Sequence, residues 1–201
     1  RFIMLAEQFI SSSYEIDSCE FLIQVWKFYD GIQNQIEKAK VRGSMLDFLC
    51  GSLIHIQQER QIEYADLLFE HSRFDINCLR ETISTIPEII ASDAMPLANK
   101  EYIIKSLYQF EKIEDYQSLL HTIYELKDIS EKTRYDSRSL QIRLLVLIME
   151  TAPHDTLLEI SALIDGLLAP AETPEDKLLS MMNIIPEIWT DRRFSTILML
   201  C

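Results

Sequence analysis

Glycine and proline are scarce in this chain of 201 residues, which holds 4 of the first and 6 of the second. An all-β protein needs a turn roughly every 8–12 residues, and such turns draw heavily on these two types. Their scarcity excludes a β-sandwich or barrel and predicts an all-α fold. Basic charge is short as well: 19 Lys and Arg stand against 32 Asp and Glu, a formal net charge of −13. Nucleic-acid affinity and attraction to anionic membranes both rest on Lys and Arg. The balance argues against either and favours a protein or peptide partner with a basic or apolar contact region. Long apolar runs are missing too. Leu144–Met149 has six consecutive apolar residues, far below the ~20 that cross a bilayer, so no membrane insertion is expected.

Chemical motifs are equally sparse. His55, His71, His121 and His154 stand outside any HExxH pattern, and none follows a Glu by three residues, so the zincin and di-iron bundle signatures are missing. Gly31, Gly43, Gly51 and Gly166 are isolated and build no phosphate-cradling loop. His55 and Glu59 can share a helix face, but two ligands do not make a metal site. Cys78, His121 and an Asp form a nucleophilic set only if folding brings them together. No catalytic residue, metal or cofactor is therefore expected. The four cysteines, Cys19, Cys50, Cys78 and Cys201, are too scattered for a secreted disulfide scaffold and read as buried reduced thiols of a cytoplasmic protein. The chain opens on Arg1 and closes on an apolar run, the pattern of a piece excised from a longer protein.

Helical periodicity is abundant. The stretch Asp136–Pro153 has no polar side over Leu144–Met149 and predicts a core helix covered by its neighbours. A helix from Asp17 to about Lys40 is predicted with Asp17 as its cap, and Gly43 reads as its stop. Further helices are predicted over Ser44–Gln57 and Glu59–Ser72, then from Asp75, with a kink or break at Pro87. The charged stretch 128–136 reads as the longest loop, Thr156 with Glu159 as a capping box, and Thr173-Pro174 as a helix start.

From residue 76 onward the helices pair. First helices start near 76, 115 and 155, and second helices near 99, 137 and 174, the earliest of these capped by Asn99; the period is about 38–40 residues. With Pro87 inside a first helix and Asp93 near a turn, this pattern resembles HEAT-type helical repeats; it departs from them in that the basic residue early in the second helix falls at Lys100, Arg138 or Lys177, in no fixed register. The resemblance implies a right-handed stack of antiparallel helix pairs, an α-solenoid of about 9–10 helices. The chain then reads as one helical domain over 1–201, with N-terminal helices over 1–75 and three helix-pair repeats over 76–191. An irregular helical bundle is the alternative.

The functional expectation is a non-catalytic module for protein–protein interaction, a scaffold or adaptor. The alternatives are a helical domain of a secreted bacterial effector or secretion regulator, and an enzyme with a site buried in a helical bundle. HEAT-like arrays line their concave surface with second helices, which points to Lys105, Gln109 and Lys112 as binding residues on one helix face. At the other end, Phe194, Ile197, Leu198 and Leu200 form an apolar face, expected to mediate self-association or to be covered by further chain.

Overall fold

The structure, a computed structural model, describes residues 4, 17–110, 112–186, 190, 193–199 and 201. Of the N-terminal helices expected over 1–75, residues 1–3 and 5–16 lie outside the described residues. Among the described residues every regular element is helical, with no strand. The α-helices are α1 (Ser18–Asp30), α2 (Gln35–Gly51), α3 (Gln61–Phe74), α4 (Ile76–Ala91) and α5 (Leu97–Leu107). They continue with α6 (Tyr116–Thr133), α7 (Arg138–Met149), α8 (Leu157–Leu168), α9 (Pro174–Ile184) and α10 (Phe194–Leu198). They gather into two compact units, one reaching Leu107 and one starting at Tyr108.

In the first unit, α1 starts where Asp17 predicts, its carboxylate accepting from the Cys19 N–H at 3.0 Å and the Glu20 N–H at 3.3 Å. The single helix expected to Lys40 is instead two. Asn34 accepts from the Ile36 and Glu37 N–H groups and opens α2. A side chain that satisfies free donors makes a new start cheaper than continuing through Gly31. Gly43 does not stop a helix but lies inside α2. Met45, Leu46, Leu49 and Cys50 beyond it are buried, which outweighs the ~1 kcal/mol cost of an interior glycine. The helices expected over 44–57 and 59–72 become the end of α2, two 3-10 turns (Ser52–His55 and Gln58–Arg60) and α3.

Asp75 caps α4 as expected, accepting from the Asn77 N–H at 2.8 Å. Pro87 does not break it, and α4 runs on to Ala91. Packing is the reason: α4 lies against α2 and α3, with Ile83, Ile86, Ile89 and Ile90 all buried. That burial offsets the ~3 kcal/mol of an interior proline. α5 begins at Leu97, not after an Asn99 cap. The Asn99 amide donates to the Gln58 carbonyl at 3.1 Å and to Gln61 Oε1 at 2.8 Å, fastening α5 to α3, its chief neighbour. One buried chain of hydrogen bonds ties three helices: the Trp26 indole N–H donates to the Tyr64 hydroxyl (3.2 Å), which donates to the Leu49 carbonyl (2.9 Å). Leu49 is among the last residues of α2, whose carbonyls have no partner within their own helix.

The second unit is built on α7. Leu140, Ile142 and Leu144–Ile148 are all buried, as the absence of a polar side predicts. α7 packs along α6 and also meets α8 and α10. Each such side chain contributes roughly 1.5–3 kcal/mol. The loop expected over 128–136 is mostly helix, since α6 runs to Thr133. Its charges occupy an exposed helix face, where Asp128 pairs with Lys132 at 2.5 Å. Arg134 closes α6 in the left-handed region, φ 58°, and donates its N–H to the Ser130 carbonyl at 3.0 Å. The predicted capping box does not form. Thr156 lies in helical backbone as the last residue of a 3-10 turn (His154–Thr156) and makes no side-chain cap, while Glu159 accepts from the Tyr124 hydroxyl at 2.7 Å. Thr173 does cap α9, accepting from the Asp176 N–H at 3.1 Å, with Pro174 in the first turn. α9 ends at Ile184, and residues 187–189, toward the end of the third helix pair expected over 76–191, lie outside the described residues.

Candidate functional site

A cleft of about 430 Å³ opens in the second unit between the start of α7, the end of α8 and the last turns of α9. Its apolar floor comes from the end of α8 and from α9: Leu168 is buried, and Leu167 and Ile184 are half-buried. The sequence puts them there because α8 carries Ile160, Ile164 and Leu168 at helical spacing toward its core, leaving Leu167 at the edge of that stripe. The rim is polar, with Ser139 from α7 and Ser180 and Asn183 from α9. Their hydroxyls and amide can serve as donors and acceptors for the amides of an incoming backbone.

Asp136 and Arg138 form the third wall. Ser137, which stands at the N-cap position, donates its hydroxyl to the Leu126 carbonyl (3.1 Å) and accepts from Gln141 (2.7 Å), so it caps nothing. Asp136 does that work, accepting from the Arg138 N–H at 3.1 Å. It also receives the guanidinium of Arg138 in a fork, Nε to Oδ1 at 2.9 Å and Nη2 to Oδ2 at 2.7 Å. Those hydrogen bonds hold the Asp136 carboxyl below its usual range, and it is ionised at neutral pH.

The chain that supplies the floor of the cleft is acidic. From Asp155 to Asp176 the chain holds six Asp and Glu and no Lys or Arg. The next cation, Lys177, is neutralised by Asp165 at 2.5 Å. The carboxyl end of α8, negative by its backbone dipole, adds to the field. Such a cleft disfavours anions and suits a segment carrying both apolar and cationic groups.

The residues singled out from the sequence are placed differently. α5 ends at Leu107, so Lys105 lies on the helix, Gln109 in the turn after it and Lys112 beyond; they share no helix face. Lys105 is exposed and pairs with Glu101 (3.4 Å), and Lys112 pairs with Glu114 (3.4 Å). In the apolar C-terminal segment Phe194 is half-buried, while Leu198 and Met199 are 45% and 71% exposed. The Ile197 side chain and Leu200 lie outside the described residues. His55 sits exposed in a 3-10 turn ahead of Glu59. Among the described residues no group of three or more His, Cys, Asp or Glu is arranged to hold a metal ion. His121 faces Glu125 (3.2 Å) in the second unit, whereas Cys78 is buried in the first beside Cys50, Ser72 and Thr82.

Sequence reasoning missed the cleft. The Asp136–Arg138 fork is the one part with a local signal, an acid and a base two residues apart at a helix start. No family model matches the chain, and neither does any curated protein or solved structure. None of the described helices is long and apolar enough to cross a membrane.

Proposed function

We propose that this chain is a non-catalytic helical module that binds a segment of another protein, and that the cleft between α7, α8 and α9 receives it. The observation that carries this reading is the pairing of an apolar floor, Leu167, Leu168 and Ile184, with a hydrogen-bonding rim, beside the acid-only stretch Asp155–Asp176. The partner is a peptide segment with apolar anchors and Lys or Arg beside them. The same reading takes the helix pairs as a HEAT-like stack, supported by the period of about 38–40 residues in the sequence. It places the protein in the cytoplasm, a reducing compartment in keeping with the free thiols of Cys19, Cys50 and Cys78.

The test uses two synthetic peptides of one length, one alternating Leu with Lys and the other alternating Leu with Glu, followed by calorimetry. The Lys peptide binds, and raising the salt several-fold weakens it as charges are screened. Ser180→Trp, which fills the cleft, weakens it at least tenfold with helicity retained. Equal binding of both peptides, or a Lys peptide indifferent to Ser180→Trp, overturns the assignment.

A further inference from the structure

Two of the buried cysteines meet in the first unit. Cys50, near the end of α2, and Cys78, in the first turn of α4, are 0% and 1% exposed. Thr82 Oγ1 lies 3.5 Å from Cys50 Sγ and 4.0 Å from Cys78 Sγ, so one hydroxyl touches both sulfurs. Ser72 of α3 completes the group: its Oγ is 3.5 Å from Cys78 Sγ and 3.1 Å from Thr82 Oγ1, and it donates to the Leu68 carbonyl at 2.7 Å. Ser72 thus keeps its proton on the backbone. Thr82 and Cys50 each have one proton free to point at Cys78. The arrangement is asymmetric. The Cys50 thiol beside it draws Cys78 below the ordinary thiol range against the effect of burial, with the Thr82 hydroxyl adding to it. The same contact, together with burial, holds Cys50 well above that range. One sulfur is set up to carry negative charge and the other to keep its proton, the division of labour between an attacking and a resolving thiol.

We propose that Cys50 and Cys78 are a redox-convertible pair that takes a peroxide as oxidant and closes to a disulfide linking α2 to α4. This proposal is independent of the cleft. The Cys78 thiolate attacks one peroxide oxygen and the O–O bond breaks. The departing hydroxide takes up the proton that Cys78 released, giving one water and a sulfenic acid on Cys78. The Cys50 sulfur then attacks Cys78 Sγ and the S–O bond breaks. Hydroxide leaves with the Cys50 proton as a second water. In sum, two thiols and one hydrogen peroxide give one disulfide and two waters; sulfur is oxidised and peroxide reduced. Burial makes the first step wait on local opening of the helices, so the pair responds to sustained oxidant. Closure brings together two sulfurs that already lie against the same Thr82 hydroxyl.

Tryptic mapping decides the matter, because cleavage after Arg42, Arg60, Arg73 and Arg80 puts Cys50 alone on Gly43–Arg60 and Cys78 alone on Phe74–Arg80. The whole chain is treated with hydrogen peroxide, blocked with N-ethylmaleimide and digested without reduction. The two peptides appear linked, lighter than their sum by two hydrogens, in a protein that keeps its helical circular dichroism, and dithiothreitol separates them. In Cys50→Ser, Cys78 is instead trapped by dimedone as the sulfenic acid; in Cys78→Ser, Cys50 stays reduced. The proposal is overturned if both peptides carry maleimide after peroxide treatment. It is equally overturned if the link forms only in urea, or if Cys50 joins Cys19 or Cys201 as readily as Cys78.

Discussion

Glu81 of α4 shows what a half-buried carboxylate does to stability. Burial, then the Asp47 carboxylate, raises its pKa, and Arg80 offsets part of the effect. A carboxyl whose folded pKa lies above its unfolded value keeps its proton longer in the fold. Stability then falls as pH rises from the ordinary glutamate range through the raised value. The uncharged Glu81→Gln variant is therefore expected to melt slightly higher than the wild type at pH 7, with the gap closing below about pH 4, where both states are protonated. Melting curves across that range check it, and a gap independent of pH would assign the effect to packing instead. The same scale explains the Thr156–Glu159 capping box that does not form: Tyr124, on another helix, takes Glu159 at 2.7 Å. A rule that looks only four residues along the chain does not register that competitor.

Among the described α-helices, α10 is the shortest, and it has a clear anchor. Arg193, just before it, is 4% exposed and donates Nε to Glu150 at 3.1 Å and Nη1 to the Tyr108 carbonyl at 2.9 Å. Its Nη2 donates to the Phe110 carbonyl, and the guanidinium lies 4.7 Å from the centre of the Tyr108 ring. Lysine keeps the charge but lacks the planar fork needed to serve three acceptors at once. Arg193→Lys is expected to cost about 2–4 kcal/mol in urea unfolding, because buried carbonyls and a carboxylate lose charged donors. Hydrogen exchange in α10 should quicken at the same time. A loss under about 0.5 kcal/mol, the usual scale of a surface substitution, would mean that water replaces the lost contacts.

For the whole molecule, charge and exposed apolar surface pull in opposite directions. A net charge of −13 favours dispersal, while Leu198 and Met199 stand 45% and 71% exposed beside a half-buried Phe194. Covering a large apolar side chain contributes roughly 1.5–3 kcal/mol, so this end favours contact between copies. Sedimentation velocity over a concentration series is expected to show weak self-association that strengthens as salt screens the charge. Leu198→Gln with Met199→Gln should remove it. Association unchanged by that pair would move the contact elsewhere on the surface.

What the sequence by itself determined are the features decided within one helical turn or by one period. Few glycines and prolines made the chain all-helical, the run Leu144–Met149 predicted the burial of Leu144–Ile148, and Asp17, Asp75 and Thr173 cap the helices they precede. Each depends on groups that are neighbours in sequence whatever else the chain does. Tertiary structure decided the rest. Pro87 stays inside a helix because two others pack on α4, and Asn99 leaves its predicted cap for Gln58 and Gln61. The cleft joins Asp136, Leu168 and Asn183, and the thiol group joins Cys50, Ser72 and Cys78. These partners come from separate helices or from the turns that lead into them. Periodicity says which face of a helix is buried, but only packing says which face of which other helix it meets.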